Sequence, residues 1–509
     1  MNENKKPLLE GESNKNHTFI IPHNISEEQL LNSIPSILKE IVLLFRPKHI
    51  NTPIKCILNV LIAKIAQMIT AKRVQYQKVN EVGFPNWYAI VFMGSGIGKD
   101  YLVKDLDRLV FKNFDLWFSN KVELYKRQEE KLIEEKASKE FKGTNKGDEK
   151  RRIAFIQTEK AKIRNIFKEV SAGTQEGFYS DSEALSIANF GSIFLKISEL
   201  GAYLSTLTTE SRLFFNCLFE AYDGKVPSKS IKGENRKPDL NNIPTNILLY
   251  SDPNMFKDSL GKIFDNLMLT GIGRRTVISF RQEEPLTAHN LSYKQIETIE
   301  QQLKALGDDL HNIFINIGEN SIYDLEVNAL DEYLTPYQNI CIEKSNNIDD
   351  EKLKREINSR FYKALKLSCL YACLQHPSEL VIKSTDIEQA IITIEALGTD
   401  LKIFNNFKPK YNDKYDNLFF HLKNNIGKKF KKTEFHTRIY KEVEGFVRAD
   451  LKENFEKTIE IVKEIAQNQG YVLLTEDGYN NVGKFYYLIK NPNENNILEL
   501  KKLLTNTSV

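Results

Sequence analysis

The 509-residue chain has few long apolar runs. Its most hydrophobic stretches, SILKEIVLLF and CILNVLIAKIAQMI, are short and broken by charge, so no segment is expected to cross a bilayer. The opening residues, MNENKKPLLEGESNKNH, lack the apolar centre of a secretory leader, and a cytoplasmic location is expected. Cysteine is scarce: Cys56, Cys217, Cys341, Cys369 and Cys373 form an odd set without framework spacing, which fits a reducing compartment. Cys369 and Cys373 lie four apart, on one face of a helix. With no second pair of Cys or His nearby to complete a zinc site, they read as core thiols and no metal is assigned there. Net charge is small as well, only +3. Contact with nucleic acid therefore has to come from local basic patches, not a global excess.

What remains is the balance of a globular protein: 41% hydrophobic and 27% charged residues, long enough for roughly two to four domains. Residues 1–24 read as a polar, mobile tail. Helical spacing of Leu30, Ile34, Leu38, Ile41, Leu58, Leu61 and Ile65 gives two or three helices within an N-terminal region, 25–85. The run FPNWYAIVFMGS predicts a strand buried on both faces. Further strands are expected at 191–198 (GSIFLKIS), 245–252 (TNILLYSD) and in RTVISF after Arg274 and Arg275. Strands alternating with helices indicate an α/β core over 86–290. A charged segment at about 120–170, broken only by KGTNKGD, predicts an inserted helical hairpin: either a solvated arm or a contact for nucleic acid or a partner. Residues 291–408 read as helical. The last section, 409–509, has helices before YVLLTEDGYNNVGKFYYLI, two strands around a polar turn, the order of a winged-helix-like module.

The chemistry gathers in AIVFMGSGIGKDYLVKDL. Gly94, Ser95, Gly96, Ile97, Gly98 and Lys99 stand between a strand and a helix, where backbone N–H groups, a lysine and a helix N-terminus converge on phosphates. Against the pattern G-x-x-x-x-G-K-S/T, Met93 replaces the first glycine and Asp100 the final hydroxyl. A second motif, IFLKISELGAYL, has Glu199 where a water-polarising carboxylate belongs but Ser198 where a metal-holding Asp is usual. One reading unites the anomalies: Asp100 and Ser198 have exchanged places, and Mg²⁺ still meets one carboxylate and one hydroxyl. The other is an ATPase decayed to a nucleotide-binding scaffold. Ser251, at a strand tip, is either a γ-phosphate-sensing group or the start of the turn SDPN. Arg274 and Arg275 are either transition-state-stabilising arginines or a surface feature at a strand entrance.

With these motifs in order, the chain resembles a phage and mobile-element P-loop ATPase family of unknown function, associated with primases and treated as a replicative helicase. The segments carrying it are FPNWYAIVFMGSGIGKD, YSDSEALSIAN, IFLKISELGAYLS, LFEAYDGKVPSKS, IPTNILLYSDPNMF and LTGIGRRTVISF, spanning roughly half the chain. The resemblance implies a RecA/AAA+-like P-loop NTPase core using ATP and Mg²⁺. In it Lys99 would contact phosphates, Glu199 would position water, and Arg274 or Arg275 would act in trans within a ring. No primase motif precedes the core, so priming would come from a separate chain.

Lys423, Lys428, Lys429, Lys431 and Lys432 cluster in HLKNNIGKKFKKTEF beside Phe430 and Phe435, and Lys484 closes the expected wing tip at 479–484. Several lysines on one face are what phosphate neutralisation needs; a solvated helix end is the alternative. The functional expectations are a ring-forming DNA helicase or translocase, a non-hydrolysing initiator or loader, and an assembly protein on the same fold.

Overall fold

The chain divides between Lys408 and Pro409 into two units. The computed structural model describes residues 25–477 and 484–490, apart from 95, 144–145, 171–173, 206–216, 228–237, 258, 283, 289, 408–412, 444–445, 447 and 469. The expected tail, 1–24, lies outside the described residues, as do Ser95 and the wing-tip positions 479–483.

The first unit is mixed α/β. Three helices come first, Glu27–Asn32, Ser36–Lys48 and Ile54–Ala71, and Ser26 caps the first through reciprocal hydrogen bonds with Gln29. A hairpin of β1 (Gln75–Lys78) and β2 (Glu81–Gly83) follows, then β3 (Tyr88–Phe92). β3 forms a parallel sheet with β4 (Ile193–Ile197), β5 (Thr245–Ser251) and β6 (Thr276–Phe280), in the order β4-β5-β3-β6. All five residues of β3 are buried, as its unbroken apolar run requires of a central parallel strand.

The helix Ile54–Ala71 is apolar all round, and every residue but Lys55 is buried. By length and composition alone it is long and apolar enough to cross a membrane. Its surface is instead covered by β3, β5 and β6. Polar side chains knit it to the sheet: Asn59 accepts from Trp87 Nε1 at 2.9 Å and donates to Val277 O at 3.1 Å. Thr70 Oγ1 accepts from Asn246 at 2.9 Å, and Asn246 accepts the N–H of Trp87 at 2.9 Å.

The charged segment is helical, with shifted limits. Helices Lys112–Glu140 and Lys146–Lys160 pair through Lys160 with Glu134 (2.8 Å) and Glu130 (3.3 Å), and the second helix has no buried residue. Helix ends at 160 because the next residues serve the core: Ile163 and Ile166 join the hydrophobic cluster, and Val170 bonds alongside β4.

Two expected regions are not purely helical. β1 and β2 lie within 25–85, while β7 (Ile322–Leu325) and β8 (Val381–Ile382) interrupt 291–408; together they form a second sheet, β2-β1-β7-β8. Helices Tyr293–Asn316, Arg360–Gln375 and Ser384–Phe407 surround them, and one hydrophobic cluster runs from Leu30 to Phe404. Phe92 at the tip of β3 stacks on Phe404 with ring centroids 4.0 Å apart, so the last helix shares the core of the parallel sheet. Cys369 and Cys373 are buried on Arg360–Gln375.

The second unit has its own core around Phe419, Phe430, Phe435, Phe455 and Tyr486. Helices Asp413–Lys423, Lys432–Glu442 and Arg448–Asn468 accompany β9 (Phe430–Lys431), β10 (Tyr471–Asp477) and β11 (Lys484–Lys490). β10 and β11 form an antiparallel hairpin from Tyr471–Lys490 to Asp477–Lys484, and β9 pairs with the outer edge of β11.

Candidate functional site

The turn from β3 into the helix Lys99–Leu109 is shaped by glycine. Gly96 and Gly98 have φ of +80° and +91°, where a Cβ is strained. A Cβ on Gly96 would meet nothing within 4 Å, so the turn borders open space. It leads into an 11-residue helix whose N-cap, Gly98, supplies no side-chain acceptor. The first amides and the positive end of the helix dipole are thus left for an anion.

Lys99 adds a full charge. Its side chain is only 8% exposed, and its ammonium is paired with the carboxylate of Glu199, which is 44% exposed. β5 separates β3 from β4, so the pair reaches over the tip of an intervening strand, roughly 10 Å from one outer strand to the other. Two residues separated by a hundred positions are joined at the carboxyl ends of the parallel strands, where ligands of such sheets bind.

Ser251 stands at the tip of β5, wholly buried. Its hydroxyl accepts the N–H of Gly201 at 3.0 Å, which fixes the start of the helix Leu200–Ser205 immediately after Glu199. Ser251 therefore positions the Glu199 loop. Gly94 and Ile97 are half-buried beside one another, the place of a Gly94 Cβ lying 3.0 Å from Ile97 Cδ1. Asp100 and Ser198 are both exposed at this edge. Among the described residues no hydrogen bond joins them, and no cluster of three His, Cys, Asp or Glu could hold a metal ion.

Arg274 and Arg275 sit elsewhere. Their helix, Gly271–Arg275, enters β6 from its N-terminal end, whereas the glycine turn follows the carboxyl end of β3; the chain does not bring these arginines to its own turn. Arg275 is engaged by Asp223 at 2.7 Å and lies over the Tyr222 ring at 5.3 Å. Arg274 is exposed, with no ion pair among the described residues.

The helix Lys99–Leu109 is also held by charges that belong to no sequence motif. Asp107 and Glu169 pair with Lys64 at 2.7 and 2.8 Å, and Lys196 reaches Glu169 at 3.1 Å. Burial alone would raise the Glu169 carboxyl, but the charge of Lys64 and then its hydrogen bond outweigh it and bring it down to about 2. Burial also opposes the charge of Lys64, and the two carboxylates overcome that and raise its pKa. Two residues before Asp107, on the other side of this helix, Asp105 meets Lys48 at 2.8 Å and His49 at 3.1 Å, while Arg108 reaches Glu300 at 2.7 Å. The visible signal was Lys64 itself, a cation in the middle of an apolar helix whose one other charge, Lys55, lies at its start.

In the second unit the lysines divide. Lys429 pairs with Glu476, and Lys432 with Glu456 at 2.6 Å. Lys428, Lys431 and Lys484 are exposed without an ion pair among the described residues, although Lys428 lies 5.4 Å from the Phe430 ring centre. Phe430 and Phe435 are core residues. No protein-family model matches the chain, and no curated protein does either.

Proposed function

We propose that the first unit is a P-loop ATPase and that the protein is a DNA helicase or translocase of a phage or mobile element, acting in replication as a homo-oligomeric ring. The contact between Lys99 and Glu199 carries this reading. A cation at the N-terminus of a helix and a carboxylate on the second strand over are the two groups ATP hydrolysis needs at one place, to hold phosphates and to orient water. The glycine turn fits a triphosphate: its backbone is strained for any residue but glycine, it faces open space, and its amides are uncapped. ATP would lie along Gly94–Lys99, and Mg²⁺, a hard cation, would take oxygen donors from Asp100 and Ser198. Bound Mg²⁺ would supply charge neutralisation at the phosphates. Glu199, released from Lys99 when phosphate takes the ammonium, is then free to accept a proton from water. Ser251 keeps the Glu199 loop in place. Arg274 suits an action in trans, being exposed at the opposite end of the sheet, while Arg275 holds the local structure.

The second unit reads as a winged-helix-like module that grips DNA through Lys428, Lys431 and Lys484, with Lys429 and Lys432 joining if DNA phosphates displace Glu476 and Glu456. A separate primase or polymerase chain would supply primers. One observation favours a second reading, a nucleotide-gated initiator or loader without turnover: Lys99 and Glu199 satisfy each other.

Purified protein with Mg-ATP, with and without single-stranded DNA, tests both. DNA-stimulated turnover that Lys99→Ala abolishes is expected. Nucleotide-dependent DNA binding without turnover selects the loader; activity indifferent to Lys99→Ala removes both readings.

A further inference from the structure

A cavity of about 570 Å³ opens at the N-terminal end of the parallel sheet, away from the glycine turn. Its walls come from the β1–β2 hairpin, from Tyr222 and the residues after it, from the entrance to β6 and from the start of Arg360–Gln375. Cations outnumber anions on the lining: Lys225, Arg274, Arg275 and Lys366 face Asp223 and Glu81. Arg275 uses Asp223, which leaves the other three cations to share Glu81.

Lys366 is the informative one. It is 3% exposed, yet its ammonium donates only to carbonyls, Phe84 O at 2.7 Å and Tyr222 O at 3.3 Å, and lies 4.1 Å from the Tyr222 ring centre. Among the described residues no carboxylate comes within ion-pair distance of it. A buried ammonium without a counter-charge is costly, and folds rarely keep one unless something answers it. Burial brings its pKa down to about 7, with Asp223 and Cys369 opposing the fall and Arg275 adding to it. Tyr362 stands 47% exposed on the cavity wall, an aromatic side chain of the kind that packs on a planar group, with Lys78 5.7 Å from its ring centre.

We propose that this cavity is a second anion site, which takes a phosphorylated small ligand of mononucleotide size, its phosphate between Lys225, Arg274 and Lys366 and its ring against Tyr362. The volume lies within the range of small-ligand pockets, which suits a free ligand of this size. The site does not depend on nucleotide at this chain's own glycine turn, although a ligand held in the cavity would compete for Arg274 with the action in trans proposed above.

The test uses the full chain carrying Lys99→Ala, titrated calorimetrically with pyrophosphate, a mononucleoside monophosphate and a short single-stranded oligonucleotide. Pyrophosphate and the mononucleotide are expected to bind. At pH 8 binding takes up a proton, since an anion raises the pKa of Lys366; this is read from the dependence of the heat on buffer ionisation. Tyr76, Tyr222, Asp223, Arg275, Cys369, Glu81, Lys225 and Arg274 are the other titratable groups around it, and Lys366→Met isolates its share. Lys366→Met and Lys225→Glu should each weaken binding about tenfold or more, and Lys366→Met should also remove the proton uptake. Binding of neither small probe, binding of the oligonucleotide alone, or affinity and proton uptake unchanged in Lys366→Met each overturns the proposal.

Discussion

Replacing Lys99 by alanine separates a phosphate ligand from a structural lysine. A charge-assisted hydrogen bond to phosphate contributes about 1.5–3 kcal/mol, so ATP affinity should fall about tenfold to a hundredfold. The cost to the fold is of similar size but is read in a different measurement. The pair with Glu199 is discounted because that carboxylate is 44% exposed and can be hydrated, leaving less than about 1 kcal/mol. Loss of the aliphatic stem adds about 1–2 kcal/mol. Equilibrium binding of a fluorescent ATP analogue, beside thermal melting of the same samples, measures both effects. Lys99→Met, which keeps the stem, should melt like the native protein and bind as poorly as Lys99→Ala. Native-like affinity in both variants would refute the assignment, and so would a melting loss in Lys99→Met as large as that of an unfolding core variant.

Gly98→Ala should destabilise the protein by about 1 kcal/mol, visible in urea melts, because φ of +91° strains any Cβ although Tyr101 is the nearest atom at 4.0 Å. Asn59→Leu strands the buried Trp87 N–H and should cost about 2 kcal/mol by the same measurement. Glu169 and Glu300 both titrate at about 2 in the fold, against 4.5 ordinarily; for Glu300 the hydrogen bond from Arg108 is the main cause. In that window the unfolded chain binds more protons, so stability should fall as pH drops from about 4.5 to about 2, and Lys64→Met should move the fall to higher pH. Urea midpoints measured against pH check the sign.

The parallel sheet was legible because β3 to β6 are short apolar runs bounded by turns, and the helical hairpin because charge and a glycine break mark it. The second sheet was not. QYQK and EVG carry no clean alternation, β8 has two residues, and β1 finds its partner at 322–325, a pairing that local pattern cannot specify. The site followed the same division. Gly96, Gly98 and Lys99 announce themselves by spacing, but their meeting with Glu199 depends on β5 inserting between β3 and β4, which no segment states alone. Ser251 was visible as a polar strand tip; that its hydroxyl serves Gly201 depends on where the helix after Glu199 begins. The arginine pair was read as one feature, and only packing against Tyr222 and Asp223 separates Arg275 from Arg274.

The strand order also governs how the chain is made. β3 leaves the ribosome long before either neighbour: β5 begins at residue 245 and β6 at residue 276. Throughout that interval of synthesis a five-residue apolar strand has two unpaired edges, the condition that invites intermolecular pairing and slows folding. A nascent chain stalled before residue 245 is thus an incomplete sheet with an adhesive centre, and its solubility rests on shelter until the β5 and β6 segments arrive.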